Sequence, residues 1–129
     1  MEFTALICVY ERDNIDYFEE ACHSIFDQTL FPNEIVFVVD GPVSIQLKNS
    51  ILGIEKKIQE KDCKCKIVWL KQNKGHGIAR QSGLEQCTYG LVALVDADDI
   101  NYVDRFKSQV DHFKFNPHTS VLGSQIREI

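Results

Sequence analysis

Three carboxylates stand together in the segment Asp96-Ala97-Asp98-Asp99, directly after the apolar run 91–95. Carboxylates at the end of a buried strand are costly to desolvate unless a cation or a ligand uses them. Hard divalent cations such as Mg²⁺ and Mn²⁺ prefer oxygen ligands and keep positions open for phosphate oxygens. The first hypothesis from this segment is therefore a metal-bridged diphosphate site.

An ordinary strand-to-helix loop offers a second explanation for the same segment. In that case Asp99 or Asn101 caps the helix that follows, as Asp and Asn commonly do. This alternative carries more weight for Asp99 and Asn101 than for Asp96 and Asp98, because other strands of the chain end in a related way.

A fourth carboxylate, Asp40, ends another apolar run and is followed by Gly41-Pro42. An aspartate before Gly-Pro is typical of a turn, and that structural role is one interpretation. The other is recognition of a nucleoside base, since a carboxylate only accepts hydrogen bonds and a base offers donors.

The segment 73–77, Asn-Lys-Gly-His-Gly, precedes a predicted helix, so its backbone N–H groups could face a phosphate. It is not a dinucleotide fingerprint, because Arg80 occupies the place of the third glycine, and the P-loop pattern is absent as well. Arg80 is a fixed cation that could pair with a diphosphate or approach a base, or simply be solvated. His76 could contact a phosphate, but a loop histidine flanked by glycines is more often solvent-exposed, and no histidine of the chain has a metal-ligand partner at useful spacing.

The elements that must position these residues follow from hydrophobic periodicity. Four short runs are almost continuously apolar, which is typical of strands covered on both faces of a parallel sheet. These runs are residues 5–9, 35–39, 67–70 and 91–95, and a weaker fifth strand is predicted over 120–123.

Apolar residues at helical spacing predict helices between the strands. The three stripes are Ile15, Phe18, Cys22 and Ile25; Leu47, Ile51, Ile54 and Ile58; and Tyr102, Phe106, Val110 and Phe113. The first helix is expected to begin near Asp13-Asn14, and the third to stop at Asn116-Pro117. A shorter helix over 77–86 carries Ala79, Ser82 and Gly83, whose small side chains suit close packing on the sheet.

The order β-α-β-α-β-α-β-α-β predicts an α/β fold, Rossmann-like and doubly wound, with a mainly parallel sheet and helices on both faces. Ligands of such sheets sit outside the carboxyl ends of the strands. Polar residues follow each of the four main strands, at 10–11, 40–41, 72–74 and 96–98. We therefore expect them to meet at one edge of the sheet.

Bulk properties describe one soluble domain over residues 1–129. The net charge of −5 and a pI near 5.3 argue against nucleic acid as a partner. No apolar run reaches membrane-spanning length and no signal segment opens the chain, so a cytoplasmic location is expected, with peripheral membrane attachment left open. The five cysteines lack zinc-site spacing and are expected to be reduced thiols.

Taken as a set, five stretches resemble the N-terminal half of glycosyltransferase family two, the enzymes of the GT-A fold. The stretches are 5–11; 21–25 with Gln28, Thr29 and Pro32; 34–41; 73–75 with 78–84; and 94–99. They cover most of the chain in the family's order, whereas any one of them alone would be weak.

The resemblance implies a nucleotide-diphospho-sugar donor, often a uridine diphosphate sugar, together with Mn²⁺ or Mg²⁺, and transfer with inversion to a glycan or lipid-linked acceptor. The nucleotide-binding positions that it implies are Val9, Tyr10, Glu11, Asp40, Asn73, Arg80 and Asp96. Asp40 would meet the base, Arg80 would lie near the nucleotide, Asp96 near the ribose, and Asp98 would ligate the metal through the Asp-X-Asp motif.

Two departures from the family pattern stand out. Val39 takes the place of an acid that often precedes Asp40, and Pro42 takes the place of a serine. The family's general base and acceptor-binding half would lie beyond Ile129. The resemblance thus implies a truncated donor-binding half, which by itself is expected to transfer little or no sugar.

Other classes of protein share parts of this pattern. A sugar nucleotidylyltransferase would need a glycine-rich basic loop after the first strand, where the chain has residues 10–14, Tyr-Glu-Arg-Asp-Asn. A phosphoacceptor receiver module would need its aspartate after the third strand, where the chain has Lys71-Gln72-Asn73. A non-catalytic nucleotide-binding or assembly module of the same fold stays as the main alternative.

Overall fold

The structure, a computed structural model, describes residues 1–123 of the chain. Strands and helices alternate along the chain, as the apolar runs predict. The elements are β1 Thr4–Val9, α1 Ile15–Phe26, β2 Glu34–Val39, α2 Ile45–Gln59, β3 Lys64–Trp69, α3 His76–Leu84, β4 Val92–Asp96 and α4 Arg105–Phe115.

The four strands form one parallel sheet in the order β3-β2-β1-β4. Ala5 of β1 lies between Ile35 of β2 and Ala93 of β4, which fixes the register of the centre of the sheet. The chain winds from β1 outward to β3 and then crosses to the far side of β1 to form β4. The winding direction of the chain therefore reverses between the adjacent strands β1 and β4, and the carboxyl ends of these two strands form the switch point of the sheet, where α/β proteins of this kind bind ligands.

Successive side chains of β1 point to opposite faces of the sheet and pack into two different cores. Ala5, Ile7 and Val9 face the larger core, which α1, α2 and α4 cover with the stripes of the sequence; Phe3 and Phe106 meet there edge to face at 5.3 Å. Leu6 faces the smaller core, which includes Ala79 of α3. Helices thus lie on both faces of the sheet, which confirms the doubly wound prediction.

Close approach of α3 to the sheet depends on Gly83. A Cβ atom at this position would lie 2.5 Å from Leu6 Cδ1 and 2.7 Å from Val38 Cγ2, well inside van der Waals contact. The prediction that small residues of this helix suit close packing is confirmed at Ala79 and Gly83, both of which are buried.

Helix boundaries agree closely with the polar signals of the sequence. The Asn14 side chain accepts a hydrogen bond from the Tyr17 N–H at the start of α1, and Ser44 does the same for Leu47 in α2. Helix α4 ends at Phe115, directly before Asn116-Pro117. Among residues 1–123, no helix combines the length and the apolar character needed to cross a membrane.

Two sequence expectations are wrong, and a third holds only in part. Residues 120–123 form no strand: Val121 is 88 % exposed, because this short run has too little apolar surface to join a sheet. Tyr102 lies outside α4 and is 62 % exposed, since the helix begins at Arg105. Strands β3 and β4 contribute side chains to both cores, but most of these are only half-buried, and Leu94 is 41 % exposed.

A buried carboxylate ties the amino-terminal edge of the sheet together. Glu34, fully buried at the start of β2, accepts hydrogen bonds from the Thr4 hydroxyl and from both the N–H and the hydroxyl of Thr88. Its other neighbour is Lys66 Nζ at 3.0 Å. Burial alone would raise the pKa of Glu34, but the hydrogen bonds from Thr88, Lys66 and Thr4 together lower it to about 2.

Candidate active site

A cleft of about 370 Å³ opens at the carboxyl ends of β1, β2 and β4, beside the first turn of α3. This is the switch point of the sheet, so the position agrees with the expectation from strand order. The lining residues are Cys8, Val9, Tyr10, Asp13, Asp40, Asn73, Gly75, His76, Ala79, Asp96, Ala97 and Asp98.

The end of β1 contributes one buried and one exposed wall residue. Val9 is buried, whereas Tyr10 is 39 % exposed and its N–H donates to the Asp13 carboxylate at 2.9 Å. Burial raises the pKa of Asp13, and the negative charge of Asp98 adds to that effect. Glu11 is exposed and does not line the cleft.

The end of β2 is joined to the segment before α3. Both oxygens of the buried Asp40 accept backbone N–H groups, from Lys74 at 2.8 Å and from Gly75 at 3.2 Å. The Asn73 side chain also accepts from Gly75, at 3.2 Å. Asp40 therefore acts as a turn aspartate between two segments, and each of its oxygens keeps a further lone pair for a ligand.

Gly41 makes this junction possible. Its φ of 95° is a backbone conformation that side chains with a Cβ rarely adopt, and a Cβ would lie 2.6 Å from the Asn73 N atom. The two segments could not approach so closely with any other residue at this position.

The first turn of α3 lies at the edge of the cleft. Gly75 is the N-cap, with a φ of 91° and no side-chain hydrogen bond to the helix. The first N–H groups of a helix have no partner within the helix, and together with the helix dipole they favour an anion. His76 and Ala79 of this helix line the cleft.

Arg80 lies beside the cleft rather than among its lining residues. Its Nη2 atom is 2.7 Å from His76 Nε2 and 4.0 Å from Asp96 Oδ1, and both of these partners line the cleft. The guanidinium is therefore held at the cleft wall, between the start of α3 and the end of β4.

The acidic segment after β4 brings two of its carboxylates into the cleft, Asp96 and Asp98. Asp99 is next to them but does not line it. Burial raises the pKa of Asp99, and a hydrogen bond with Asp96 and the charges of Asp96 and Asp98 raise it further. The segment thus concentrates negative charge that a cation would relieve.

Two buried side chains, Ser24 of α1 and Gln28 just after it, support the segment between Asp99 and α4. Gln28 donates to the Tyr102 carbonyl and accepts from the Phe106 N–H at 3.0 Å, so it caps α4 from the segment that follows α1. Ser24 accepts from the N–H and the side-chain amide of Asn101, at 3.0 and 3.1 Å. The observed N-cap residue of α4, Asp104, makes no such bond, and neither Asp99 nor Asn101 caps the helix as the alternative interpretation required.

A divalent cation fits the chemistry of this donor set only in partnership with a ligand. Within residues 1–123, no group of three His, Cys, Asp or Glu side chains converges on a common point. Asp98 offers a carboxylate at the cleft, and phosphate oxygens of a bound diphosphate would have to supply further ligands.

Sequence reasoning missed Asp13, His76 and Cys8 as cleft residues. Asp13 was assigned only to the helix start, although its spacing of three residues from Tyr10 is the spacing of a side-chain-to-backbone turn. His76 is exposed, as expected, yet it also contacts Arg80 one helical turn later, and that i, i+4 spacing was the available signal. Cys8 gave no signal beyond its position at the end of an apolar run.

Solved structures share this architecture. The chain matches the crystal structure of Staphylococcus aureus TarS residues 1–349 in complex with UDP with a TM-score of 0.72 and 24 % identity, covering 99 % of this chain and 38 % of that one. It matches the mannosyltransferase PcManGT from Pyrobaculum calidifontis, in complex with GDP-Man and Mn²⁺, with a TM-score of 0.64 and 20 % identity over 75 % of this chain and 27 % of that one. The fold is thus the GT-A type that the sequence predicts.

Curated relatives are similar across nearly the whole chain. The amylovoran biosynthesis glycosyltransferase AmsE of Erwinia amylovora is 35 % identical over 98 % of this chain and 46 % of its own length. The UDP-Gal:α-D-GlcNAc-diphosphoundecaprenol β-1,3-galactosyltransferase of Escherichia coli is 32 % identical over 98 % of this chain and 44 % of its own length. The chain therefore spans less than half the length of these relatives.

The family described as Glycosyl transferase family 2 matches residues 4–129. This range includes every strand of the sheet and every residue that lines the cleft. The chain belongs to glycosyltransferase family 2.

Proposed function

We propose that this chain binds a nucleotide-diphospho-sugar, a uridine diphosphate sugar in the first instance, and forms the donor-binding part of an inverting glycosyltransferase. The observation that carries the proposal is the meeting, in one cleft of about 370 Å³, of Asp40, Asp98 and the first turn of α3. Asp40 can accept hydrogen bonds from a base, Asp98 can hold a metal bound to the diphosphate, and the first turn of α3 can bind phosphate oxygens. The UDP in the TarS complex and the UDP-galactose in the name of the Escherichia coli relative support uridine as the nucleoside.

The nucleoside would lie over the ends of β1 and β2. Val9 and Tyr10 supply an apolar wall there, and the remaining lone pairs of Asp40 can accept N–H groups of a base. Asn73 is close to Asp40 and adds a further polar side chain to the same wall. Glu11 would contribute only at the outer rim, since it is exposed and outside the cleft.

The ribose and the diphosphate would lie between α3 and the end of β4. In this arrangement Asp96 accepts hydrogen bonds from the ribose, while the N–H groups at the start of α3 and the Arg80 guanidinium face the phosphates. The helix terminus and Arg80 lie on the same side of the cleft, so their positive potentials add.

Asp98 would hold Mn²⁺ or Mg²⁺ together with the phosphate oxygens of the donor. When bound, the metal neutralises charge that develops on the nucleoside diphosphate leaving group. The Mn²⁺ in the PcManGT complex supports this proposal. Asp98 is the one carboxylate we assign to the metal, because Asp96 is already shared with Arg80.

The acceptor and the catalytic base belong to the whole protein. A carboxylate that removes the acceptor hydroxyl proton is expected outside residues 1–129, and we propose that these residues alone transfer little sugar. A glycan or lipid-linked acceptor and polysaccharide biosynthesis are proposed from the names of the relatives. A lipid-linked acceptor would in turn favour peripheral attachment of the whole protein to a membrane.

Titration with UDP, with and without Mn²⁺, tests the proposal. We expect UDP with Mn²⁺ at a hundredfold above its dissociation constant to raise the free energy of unfolding by about 2.7 kcal/mol. Asp98→Ala should abolish the Mn²⁺-dependent part of this gain. Asp62→Ala removes an exposed carboxylate between α2 and β3, away from the cleft, and should leave the gain intact.

Two results would contradict the proposal. No stabilisation of the folded wild-type protein by UDP or by GDP would favour a non-catalytic module of the same fold. Equal Mn²⁺ dependence in the wild-type protein and in Asp98→Ala would place the metal elsewhere.

A further inference from the structure

The contact between His76 and Arg80 combines two side chains that both carry positive charge in acid. His76 is the first residue of α3 and Arg80 lies one turn later, with Arg80 Nη2 2.7 Å from His76 Nε2. This is hydrogen-bond distance between nitrogen atoms, so one of the two must donate and the other accept.

The chemistry of the two groups fixes which one accepts. A guanidinium has five N–H donors and no acceptor, and it stays charged in proteins. His76 Nε2 must therefore carry a lone pair, which requires an uncharged imidazole with its proton on Nδ1. Protonation of His76 would remove the acceptor and place two cations in contact.

Arg80 has few other partners. Asp96 Oδ1 lies 4.0 Å from Nη2, which is an ion pair but too long for a hydrogen bond. The Nε–H of Arg80 is buried and has no hydrogen-bond partner among residues 1–123. His76 consequently makes the single short contact recorded for the Arg80 side chain in the described part of the chain.

A neutral partner leaves the positive charge of Arg80 available to a ligand, whereas a carboxylate partner does not. Imidazole orients the guanidinium without cancelling its charge, whereas a carboxylate at the same distance would neutralise it. His76 and Asp96 both line the cleft, so the cation that they hold lies directly behind its wall. An anion in the cleft would meet an oriented guanidinium fork whose charge is offset only by Asp96 at 4.0 Å, and a fork of this geometry suits phosphate.

We propose that His76 is a positioning residue for Arg80 in nucleotide-diphosphate binding. The neutral imidazole holds the guanidinium at the cleft wall, and Arg80 in turn faces the diphosphate. This inference rests on the proposed function, because it names the group that prepares the same cleft for its ligand. The imidazole of His76 itself makes no bond to the phosphates.

A pH dependence follows from the required lone pair. Arg80 contacts His76 on its own helix, and the carboxylates that line the cleft with it are Asp13 after β1, Asp40 at the end of β2, and Asp96 and Asp98 at the end of β4. Protonation of the imidazole removes that lone pair, so acidification should release Arg80 and weaken nucleotide binding.

The first experiment measures the imidazole directly, without any ligand. Long-range ¹H–¹⁵N spectra at about pH 8 should show His76 as the Nδ1–H tautomer, with assignment from the signals lost in His76→Gln. Arg80→Met removes the donor and should change that tautomer. A protonated imidazole or an Nε2–H tautomer in the wild-type protein would overturn the inference, whatever UDP does.

The second experiment measures UDP affinity at about pH 8 and about pH 5.5 by calorimetry. His76→Ala should weaken binding about tenfold at the higher pH, because Arg80 loses its one short contact. His76→Gln keeps a non-titrating acceptor at similar reach and should restore most of the affinity at the higher pH. The terminal phosphate of UDP also gains a proton over this range, which weakens binding to every variant, so the comparison is the size of the loss. The wild-type protein should lose more affinity on acidification than His76→Gln does, and His118→Gln, an exposed control, should lose as much as the wild-type protein.

Different results would contradict the positioning role of His76 and the proposed donor site. Equal UDP affinity in the wild-type protein and in His76→Ala, or a wild-type affinity that rises on acidification, would overturn the positioning role while the donor site stands. Absence of UDP binding to the wild-type protein at both pH values would overturn the proposed function and this role with it.

Discussion

The Lys74 backbone N–H donates a hydrogen bond of 2.8 Å to the Asp40 carboxylate, across 34 residues of sequence. This bond joins the end of β2 to the segment that starts α3, and both segments line the cleft. Asp40 therefore has a structural part in the site before any ligand is bound.

Asp40→Asn should loosen this junction. The amide offers one acceptor oxygen in place of two, so the N–H of either Lys74 or Gly75 loses its bond to this side chain, and we expect a loss of about 2 kcal/mol in the free energy of unfolding. UDP affinity should fall as well, because the helix terminus is displaced. Denaturant unfolding and calorimetry measure the two effects; a variant with unchanged stability would contradict the junction that we describe.

Gly41→Ala should distort the same junction from the other side. The added Cβ would lie 2.6 Å from the Asn73 N atom in a backbone conformation that alanine adopts reluctantly, so stability should fall by about 1–3 kcal/mol. Gly53→Ala is the matched control: this glycine lies within α2 with open space around it, and the change should stabilise the protein by about 0.5–1 kcal/mol. The sign of the difference between the two variants, measured by denaturant unfolding, decides the point.

Gln28→Ala should weaken the support of the acidic segment. Without the side chain, the Phe106 N–H and the Tyr102 carbonyl lose buried partners, at a cost of about 2 kcal/mol. Residues 99–101 connect Asp98 to Tyr102, which Gln28 holds. Mn²⁺-dependent UDP binding should therefore weaken more than binding of UDP alone. Gln86→Ala, an exposed change after α3, should alter neither quantity. An equal effect of Gln28→Ala on both modes of binding would contradict the link to Asp98.

Glu34 should make stability depend on pH in acid. Its pKa is about 2 in the folded chain against 4.5 ordinarily, so its contribution of about 3 kcal/mol is fully present above about pH 4.5 and is lost as the pH falls toward 2. Glu34→Gln lacks this titration.

Urea unfolding at pH 7 and pH 3 tests this sign. The stability difference between the wild-type protein and Glu34→Gln should narrow by about 2 kcal/mol at the lower pH. Glu20→Gln, an exposed change on α1, should follow the wild-type protein at both values. A difference that stays constant would mean that Glu34 is not a buried, hydrogen-bonded carboxylate.

The fold could be predicted from the sequence because the helical stripes and the apolar strand runs both indicated the same alternating α/β order. The stripe from Leu47 to Ile58 is fully buried on α2, and the apolar runs at 5–9 and 35–39 became the two central strands. The pattern of residues 120–123 failed because a run with two large apolar residues is compatible with a strand but does not require one. The sequence also could not show that β3 and β4 are the outer strands of the sheet, since near-continuous apolar runs look alike in central and edge strands.

The site was predictable as a set of strand ends but not as a set of contacts. The convergence of Tyr10, Asp40, Asn73 and Asp98 on one cleft follows from parallel strand order alone. The Asp40 bonds to backbone N–H groups depend on the path of the segment 73–75, for which the sequence carries only Gly75 as a signal. The Arg80 position depends on side-chain packing, which periodicity does not encode.

Mapping of the UDP site by nuclear magnetic resonance tests the central claim most directly. Backbone amide signals of the ¹⁵N-labelled protein are followed as UDP and Mg²⁺ are added, and Asp98→Ala is the comparison. We predict the largest shifts at Tyr10, Gly75, His76 and Ala97, with none at Asn33 and Lys61 in a second hollow between α1 and β2. Shifts confined to that hollow, or no shifts in a folded protein, would contradict a nucleotide-diphosphate site at the carboxyl edge of this sheet.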